Sequence, residues 1–264
     1  MSQLNLSSLG ASLQRPLAAL FLGGQAIAHI LAGKIHRRNT LEQMANVGPA
    51  SLAIAVMTAT SVGFVFTIQV AREFINFGAT AAVGGILSLA LARELSPVLT
   101  SVVVAGRVSS AFAAEIGTMQ VTEQIDALYM LKTDPIDYLV IPRLIACCLM
   151  LPLLTLISLI AGIASGMFIA RAQYNIPTSV FLSSVQNFMT PWDVGSSIIK
   201  SAIFGALIAI IGCSWGLTTT GGAKGVGLST TTAVVVSLLA IFITDFGLSW
   251  IMFQGVGSSS IDGL

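Results

Sequence analysis

Long apolar runs separated by short polar segments dominate the pattern of this chain. A helix that spans a membrane needs about 20 apolar residues. Five runs meet this requirement, at about 47–70, 80–112, 139–170, 196–217 and 229–254. They are continuous, whereas the strands of a membrane barrel alternate polar and apolar positions over about ten residues. The pattern predicts an all-α integral membrane protein with five transmembrane helices in a single domain over residues 1–264.

A sixth apolar segment, within a predicted helix at about 11–34, is ambiguous. Its apolar part is short and contains Gln25, His29 and the pair Gly23-Gly24. A basic run that includes Lys34 and Arg37 follows it. A helix of this kind can lie in the membrane interface instead of crossing it. Hydropathy alone leaves both arrangements open.

The longest polar connection lies between the second and third predicted spans. Val121, Ile125, Leu128 and Leu131 recur there at helical spacing, which predicts a short amphipathic helix at about 119–132. The pair Asp134-Pro135 would end it, because a residue before proline disfavours helix. The helix is either an ordinary connection or a docking element for a cytoplasmic partner.

Composition and charge support a membrane location. Only 9% of the residues are charged and 55% are hydrophobic, and the mean hydropathy is +0.91, whereas soluble domains contain about 25% charged residues. The net charge of +1 gives no reason to expect nucleic acid. Basic residues precede the first span and are missing after residue 254, which predicts a cytoplasmic N-terminus and a periplasmic C-terminus. The sequence shows no secretory signal and no metal-ligand spacing, so no metal site is expected.

Several polar side chains fall inside the predicted spans, and such residues are functional candidates. They are Gln69, Arg93, Glu94, Arg107, Glu115, Lys200 and Asp245. Neighbours on a helix point about 100° apart, so Arg93 and Glu94 each need another partner or water. Pro97 removes a helical hydrogen bond near Arg93 and favours a kink there. Buried pairs that only fix the packing of the helices are the alternative interpretation.

The segment around these residues resembles a known family. The stretch LARELSPVLTSVVVAGRVSSAFAAEIGTMQVTEQIDALYMLKTDPIDYLVIPR is similar to the central signature of MlaE/YrbE-type permeases, the membrane subunits of MCE-associated ABC lipid transporters. Further matches are LP at 151–152, IIKS at 198–201, GGAKGVGLSTTTAVV at 221–235 and TDFGLSWIMFQG at 244–255. The resemblance covers nearly the whole chain and suggests a bacterial or cyanobacterial member. It implies an interfacial N-terminal elbow helix before five spans, in a bacterial inner (plasma) membrane.

The resemblance also implies a lipid cavity. The residues that would line it are Phe66, Gln69, Arg93, Glu94, Leu95 and Val98. The apolar members would hold acyl chains, and the polar members would contact a head group or keep the cavity open. The guanidinium of Arg93 matches a phosphate, but Glu94 beside it would oppose an anion. A purely structural gate therefore stays open for this pair.

The same resemblance implies the partners of the chain. It predicts a homodimer, a cytoplasmic ABC ATPase, an extracytoplasmic MCE-domain lipid-binding protein, and phospholipid as the substrate. The residues that would dock on the ATPase are Glu123, Gln124, Ile125, Asp126 and Leu128. The sequence contains no P-loop, so we expect a non-catalytic subunit without a cofactor, with ATP and Mg in the partner.

Two other functions are consistent with the residues. One is an ion-coupled secondary transporter that uses Glu94, Lys200 and Asp245. The other is a membrane scaffold that transports nothing. An enzyme acting alone fits least well, because no set of nucleophile, base or metal ligands is evident.

Overall fold

The regular structure of the described residues is helical. The computed structural model describes residues 19, 21–26, 28, 29 and 37–255, and no strand occurs within these ranges. Its α-helices are α1 Arg37–Val47, α2 Pro49–Asn76, α3 Val83–Ala90, α4 Ser96–Val104, α5 Ser110–Val121, α6 Gln124–Met130, α7 Ile141–Tyr174, α8 Thr178–Phe188, α9 Pro191–Leu217 and α10 Gly222–Trp250. The described residues between 19 and 29 are also helical, and the rest of the predicted elbow helix lies outside the described residues.

Short non-α segments connect some of these helices. One is a 3₁₀ turn at Thr80–Ala82. The others are π-helical turns at Leu91–Leu95, Ala105–Ser109, Ile136–Val140 and Ile251–Gly255. Within the second span the chain therefore continues as helix through Leu91–Leu95 and Ala105–Ser109, with the hydrogen-bond register changed locally.

Within the described residues, five helical stretches are long and apolar enough to cross a membrane, which agrees with the predicted number. They are the first span Arg37–Asn76, the second Thr80–Val121, the third Ile136–Tyr174, the fourth Pro191–Leu217 and the fifth Gly222–Phe253. The first span begins earlier than the apolar run, because the polar helix α1 leads into α2 through Gly48 and Pro49. The helices therefore extend beyond the apolar segments that hydropathy detects.

The described chain forms two compact units. Of the described residues, the first unit comprises those up to 47, 105–147 and 205–240, and the second comprises 48–104, 148–204 and 241–255. Each unit combines parts of several spans, so neither is a continuous segment of the sequence.

Small residues bring helices close together in the second unit. The buried positions of α2 recur every fourth residue and are Ser51, Ala55, Ala59, Gly63, Thr67 and Ala71. A Cβ atom on Gly63 would lie 2.4 Å from the carbonyl oxygen of Gly162 in α7. Only glycine permits this approach of two backbones, and small residues at membrane helix contacts serve this purpose in general.

Helix α8 packs against α3 in the same unit. The backbone N–H of Gly85 donates to Ser184 Oγ at 2.9 Å, and a Cβ on Gly84 would meet the carbonyl of Phe181 at 2.5 Å. Leu87 and Leu91 join Phe181 in the apolar core. These contacts fix the helix that leads directly into Arg93.

The first unit is held by polar contacts as well as by apolar packing. Ser109 and Ser237 form a hydrogen bond at 3.0 Å. Buried Arg143 pairs with Glu115 at 2.7 Å, and its guanidinium lies over the ring of Phe112. These interactions connect α5, α7 and α10.

Candidate functional site

A π-helical turn at Leu91–Leu95 shapes the polar centre of the second span. The N–H of Ser96 donates to the carbonyl of Leu91, five residues back. Pro97 has no N–H, so it cannot donate to the carbonyl of Arg93, four residues before it. The disturbance that Pro97 predicts is present, and it takes the form of a π-helical turn. Such turns often mark functional sites.

Lys200 is the centre of a buried polar cluster. Its side chain is fully buried, and Nζ lies within hydrogen-bond distance of four oxygens. They are the carbonyl oxygen of Arg93 at 2.9 Å, Glu94 Oε1 at 3.0 Å, Asp245 Oδ1 at 2.9 Å and Ser249 Oγ at 2.7 Å. The hydroxyl of Ser249 donates in turn to Glu94 Oε1 at 2.9 Å. Lys200 thus links the second, fourth and fifth spans.

Asp193 holds the side chain of Arg93. Arg93 Nε donates to Asp193 Oδ1 at 2.7 Å, and the guanidinium lies 4.6 Å from the centre of the Phe253 ring. The other oxygen, Oδ2, accepts from the backbone N–H and the hydroxyl of Thr190, both at 2.7 Å. Sequence reasoning missed Asp193. The signal was Thr190 three residues before an acidic residue at the start of an apolar helix, which is the pattern of a capping box.

The cluster separates supporting groups from accessible ones. Lys200 and Asp193 have no exposed side-chain surface, whereas Arg93 is 40% exposed and Glu94 44% exposed. Ionised groups inside a membrane protein are stable only when they are paired or face a wet cavity. The buried members therefore hold Arg93 and Glu94, whose side chains are partly exposed.

Arg93 and Glu94 line a cavity of about 550 Å³ in the second unit. Its remaining walls are Ile86, Leu89, Ala90, Phe246, Ser249, Trp250 and Phe253. One part of the lining supplies a guanidinium, a carboxylate and a hydroxyl, and the rest is apolar and aromatic. This arrangement fits a molecule with one polar end and an apolar body.

The structure does not bring all six predicted lipid-cavity residues together. Phe66, Gln69 and Leu95 line a separate cavity of about 270 Å³. Val98 is buried and lines neither cavity. Arg93 and Leu95 point to nearly opposite sides of their helix, because they are two residues apart. Lys200 and Asp245, which the lipid-cavity prediction left out and the ion-coupled alternative grouped with Glu94, lie in one cluster with Glu94 and Arg93.

The predicted docking helix corresponds to α6, which is shorter than the expected 119–132. Glu123 precedes it with a left-handed backbone, at φ 59°. Gln124 and Asp126 are exposed, Ile125 is buried, and Leu128 is half-buried. Ile125 therefore anchors α6 to the first unit instead of facing outward.

The apolar surface of this region lies at the end of α6. Tyr129, Met130 and Leu131 are 61%, 85% and 74% exposed. Helical spacing grouped Leu131 with Ile125 and Leu128 in the predicted amphipathic helix. Leu131 lies outward because α6 ends at Met130 and Lys132 adopts a left-handed backbone, at φ 57°. The three side chains form an exposed apolar tip, referred to below as the α6 tip.

Comparison with known proteins shows extensive similarity. The family profile described as Permease MlaE matches residues 40–251. A probable ABC transporter permease protein of Synechocystis is 67% identical, over 96% of this chain and 97% of the relative. The chloroplastic protein TRIGALACTOSYLDIACYLGLYCEROL 1 of Arabidopsis thaliana is 55% identical, over 93% of this chain and 70% of the relative. A probable ABC transporter permease protein of Rickettsia prowazekii is 40% identical, over 87% of this chain and 88% of the relative.

Proposed function

The chain belongs to the MlaE family of ABC transporter permeases, and from this premise we propose that it moves a phospholipid or related lipid. The lipid would pass between the membrane and an extracytoplasmic MCE lipid-binding protein, driven by a separate cytoplasmic ATPase. The observation that carries the proposal is the cavity in which Arg93 and Glu94 lie beside apolar and aromatic walls. The name of the Arabidopsis relative contains that of a galactosyl lipid, which supports the same class of substrate.

The chemistry of the cavity fits the two parts of a lipid. Phe246, Trp250 and Phe253 provide apolar surface for an acyl chain. The guanidinium of Arg93 matches phosphate oxygens in planar geometry. Glu94 lies next to Arg93 in the sequence and would repel a phosphate. Lys200 and Ser249 both donate to its carboxylate, which reduces this repulsion. Arg93 is therefore the proposed head-group contact, and the walls are the proposed acyl contact.

The α6 tip is the proposed contact with the ATPase. An apolar surface on a short helix between two spans, flanked by exposed Asp126 and Lys132, suits a protein groove better than lipid tails. Glu123, Gln124 and Asp126 would form the polar rim of this contact, and Ile125 would hold the helix in place. The second span carries Arg93 and ends at Val121, three residues before α6 begins. Movement of α6 on ATP binding would therefore act on the helix that carries the head-group contact.

A homodimer completes the proposed assembly. The fifth span exposes a row of large apolar side chains, with Phe242, Ile243, Phe246 and Trp250 between 55% and 72% exposed. Such a row fits either lipid or the same surface of a second copy. The proposed location is the bacterial inner membrane, with the N-terminus cytoplasmic and the C-terminus periplasmic, because the basic residues precede the first span.

The cluster of Glu94, Lys200 and Asp245 also favours a second candidate, an ion-coupled secondary transporter. Buried titratable groups inside membrane spans are typical of proton and ion pathways. This candidate predicts lipid or solute flux that depends on an ion gradient and continues without ATP. The permease proposal predicts the opposite dependence.

Purification of the tagged chain from its native membrane in mild detergent tests the proposal. Mass spectrometry of the co-eluting proteins and lipids should find a stoichiometric P-loop ATPase, an MCE-domain protein and bound lipid. Met130→Asp at the α6 tip is the matched variant, and it should lose the ATPase while it keeps the lipid. Recovery of the chain without an ATPase in several mild detergents would contradict the proposal and favour the secondary transporter or the scaffold.

A further inference from the structure

We infer that Asp193 is a positioning residue for the substrate, which sets the orientation in which Arg93 meets a lipid head group. The inference rests on the proposed function, because it takes the cavity as the place where lipid binds. Asp193 itself is fully buried and does not line the cavity. Its effect on the substrate would therefore pass entirely through Arg93.

The carboxylate of Asp193 is fixed by the start of its own helix. Oδ2 accepts two hydrogen bonds from Thr190, and the N–H of Asp193 donates back to the carbonyl of Thr190 at 3.0 Å. Pro191, at the first position of α9, restricts the backbone between the two residues. Oδ1 is therefore held in one place, and it receives Arg93 Nε at 2.7 Å. Such a charge-assisted bond is short and strong.

Both the backbone and the side chain of Arg93 are held by neighbouring groups, but the guanidinium keeps N–H donors for a ligand. Lys200 binds its backbone carbonyl, Asp193 binds Nε, and the ring of Phe253 covers the guanidinium. The two Nη groups have no hydrogen-bond partner among the described residues. Since Arg93 is 40% exposed and lines the cavity, these groups supply the edge that a phosphate would bind.

Asp193 differs from Lys200 in how many contacts it makes. Lys200 touches both other carboxylates of the cluster, so its loss disturbs all of them. Among the described residues, the hydrogen bonds of the Asp193 carboxylate go to Arg93 and to Thr190, at the start of its own helix. Asp193→Asn keeps an oxygen for Thr190 but replaces the charge that faces Nε. The effect of this variant on binding therefore reports on the orientation of Arg93.

Tryptophan fluorescence provides a direct measurement of lipid in the cavity. Trp250 lines the cavity, and the variants Trp192→Phe and Trp215→Phe remove the other two tryptophans. Quenching by lipids with brominated chains then measures affinity in the purified full-length protein. Phosphatidylglycerol and diacylglycerol with identical chains differ only in the phosphate-bearing head group. We expect Asp193→Asn to lower the affinity for phosphatidylglycerol about tenfold and to leave the affinity for diacylglycerol unchanged.

Two further variants distinguish orientation from simple folding. Thr190→Val removes one bond to Oδ2 and keeps the pair with Arg93, so it should retain most of the preference for phosphatidylglycerol. Asp193→Glu keeps the charge and should retain more of the preference than Asp193→Asn. The inference would be overturned if Asp193→Asn lowered the affinities for both lipids equally. It would also be overturned if Asp193→Glu and Asp193→Asn lost the preference for phosphatidylglycerol to the same extent.

If the proposed function is wrong, the binding measurements give a different result. If the parent protein binds both lipids equally, and Arg93→Ala changes neither affinity, Arg93 is not a head-group contact. That result contradicts the role proposed for the cavity itself, and the inference about Asp193 falls with it. A preference that depends on Arg93 but not on Asp193 refutes the inference alone.

Discussion

Lys200 Nζ donates a hydrogen bond to the backbone carbonyl oxygen of Arg93, over 2.9 Å. This oxygen lies four residues before Pro97, which has no N–H to offer it. A buried ammonium therefore supplies a donor where the helix backbone lacks one. The π-helical turn and the charged cluster thus meet at one atom, the carbonyl oxygen of Arg93.

Removal of this ammonium should destabilise the protein. Lys200→Met leaves the carboxylates of Glu94 and Asp245 and the carbonyl of Arg93 without their shared donor. Breaking a buried pair on one side costs about 3 kcal/mol. The thermal unfolding midpoint in detergent should fall clearly. Lys224→Met at an exposed position of α10 is the control and should leave the midpoint unchanged, and an equal midpoint in both variants would show that the cluster adds no stability.

Replacement of Pro97 should affect transport more than stability. Pro97→Ala restores an N–H that can bond to the carbonyl of Arg93 and compete with Lys200. The π-helical turn should then relax towards α-helix, which rotates Arg93 and Glu94 away from their partners. ATP-dependent lipid transport per inserted copy should fall several-fold. Pro152→Ala, inside α7, is the matched control, and equal transport in both variants would show that the turn is not needed.

The exposed pair should be essential for transport but not for insertion. Arg93→Ala removes the proposed head-group contact, and Glu94→Ala removes an acceptor of Lys200 and Ser249. Each should lower transport about tenfold or more while the amount of protein in the membrane stays normal. Arg171→Ala, at an exposed position near the end of α7, serves as the control. Normal transport in both cavity variants would remove Arg93 and Glu94 from the mechanism.

Much of this site follows from local sequence, but its partners do not. The apolar runs predict five spans, and Pro97 predicts a disturbed helix beside two charges, because both effects act within one segment. Asp193 and Ser249 lie 100 and 155 residues away from the groups they bind. Only the packing of the spans brings these groups together, and one sequence does not encode that packing as a visible pattern.

The bounds of α6, the predicted docking helix, were also not predictable from the sequence. Helical spacing places Leu131 on the same face as Ile125. The left-handed backbone at Lys132 ends the helix first and leaves Leu131 exposed. Lysine has no strong preference for this conformation, so nothing in the local sequence indicates the turn. The division of Arg93 and Leu95 between two cavities agrees with simple helical geometry, because residues two apart on a helix point to nearly opposite sides.

The α6 tip should determine recovery of the ATPase. Met130→Asp places a charge at the most exposed apolar position and should abolish both co-purification and ATPase stimulation. Leu128→Asp should act mainly by disturbing the packing of α6, since Leu128 is half-buried. Lys132→Ala changes an exposed residue beside the tip and should have a small effect. Complete recovery of an active ATPase with Met130→Asp would contradict docking at this surface.

ATP-dependent lipid transfer by the purified complex in proteoliposomes tests the central claim most directly. The complex that co-purifies with the chain is reconstituted with fluorescent phospholipid, and movement of the lipid is followed with ATP, without ATP, and with an imposed ion gradient. We predict transfer that requires ATP hydrolysis and is lost in Arg93→Ala. Transfer driven by the gradient without ATP, or no transfer by an active and intact complex, would contradict a lipid-moving ABC permease.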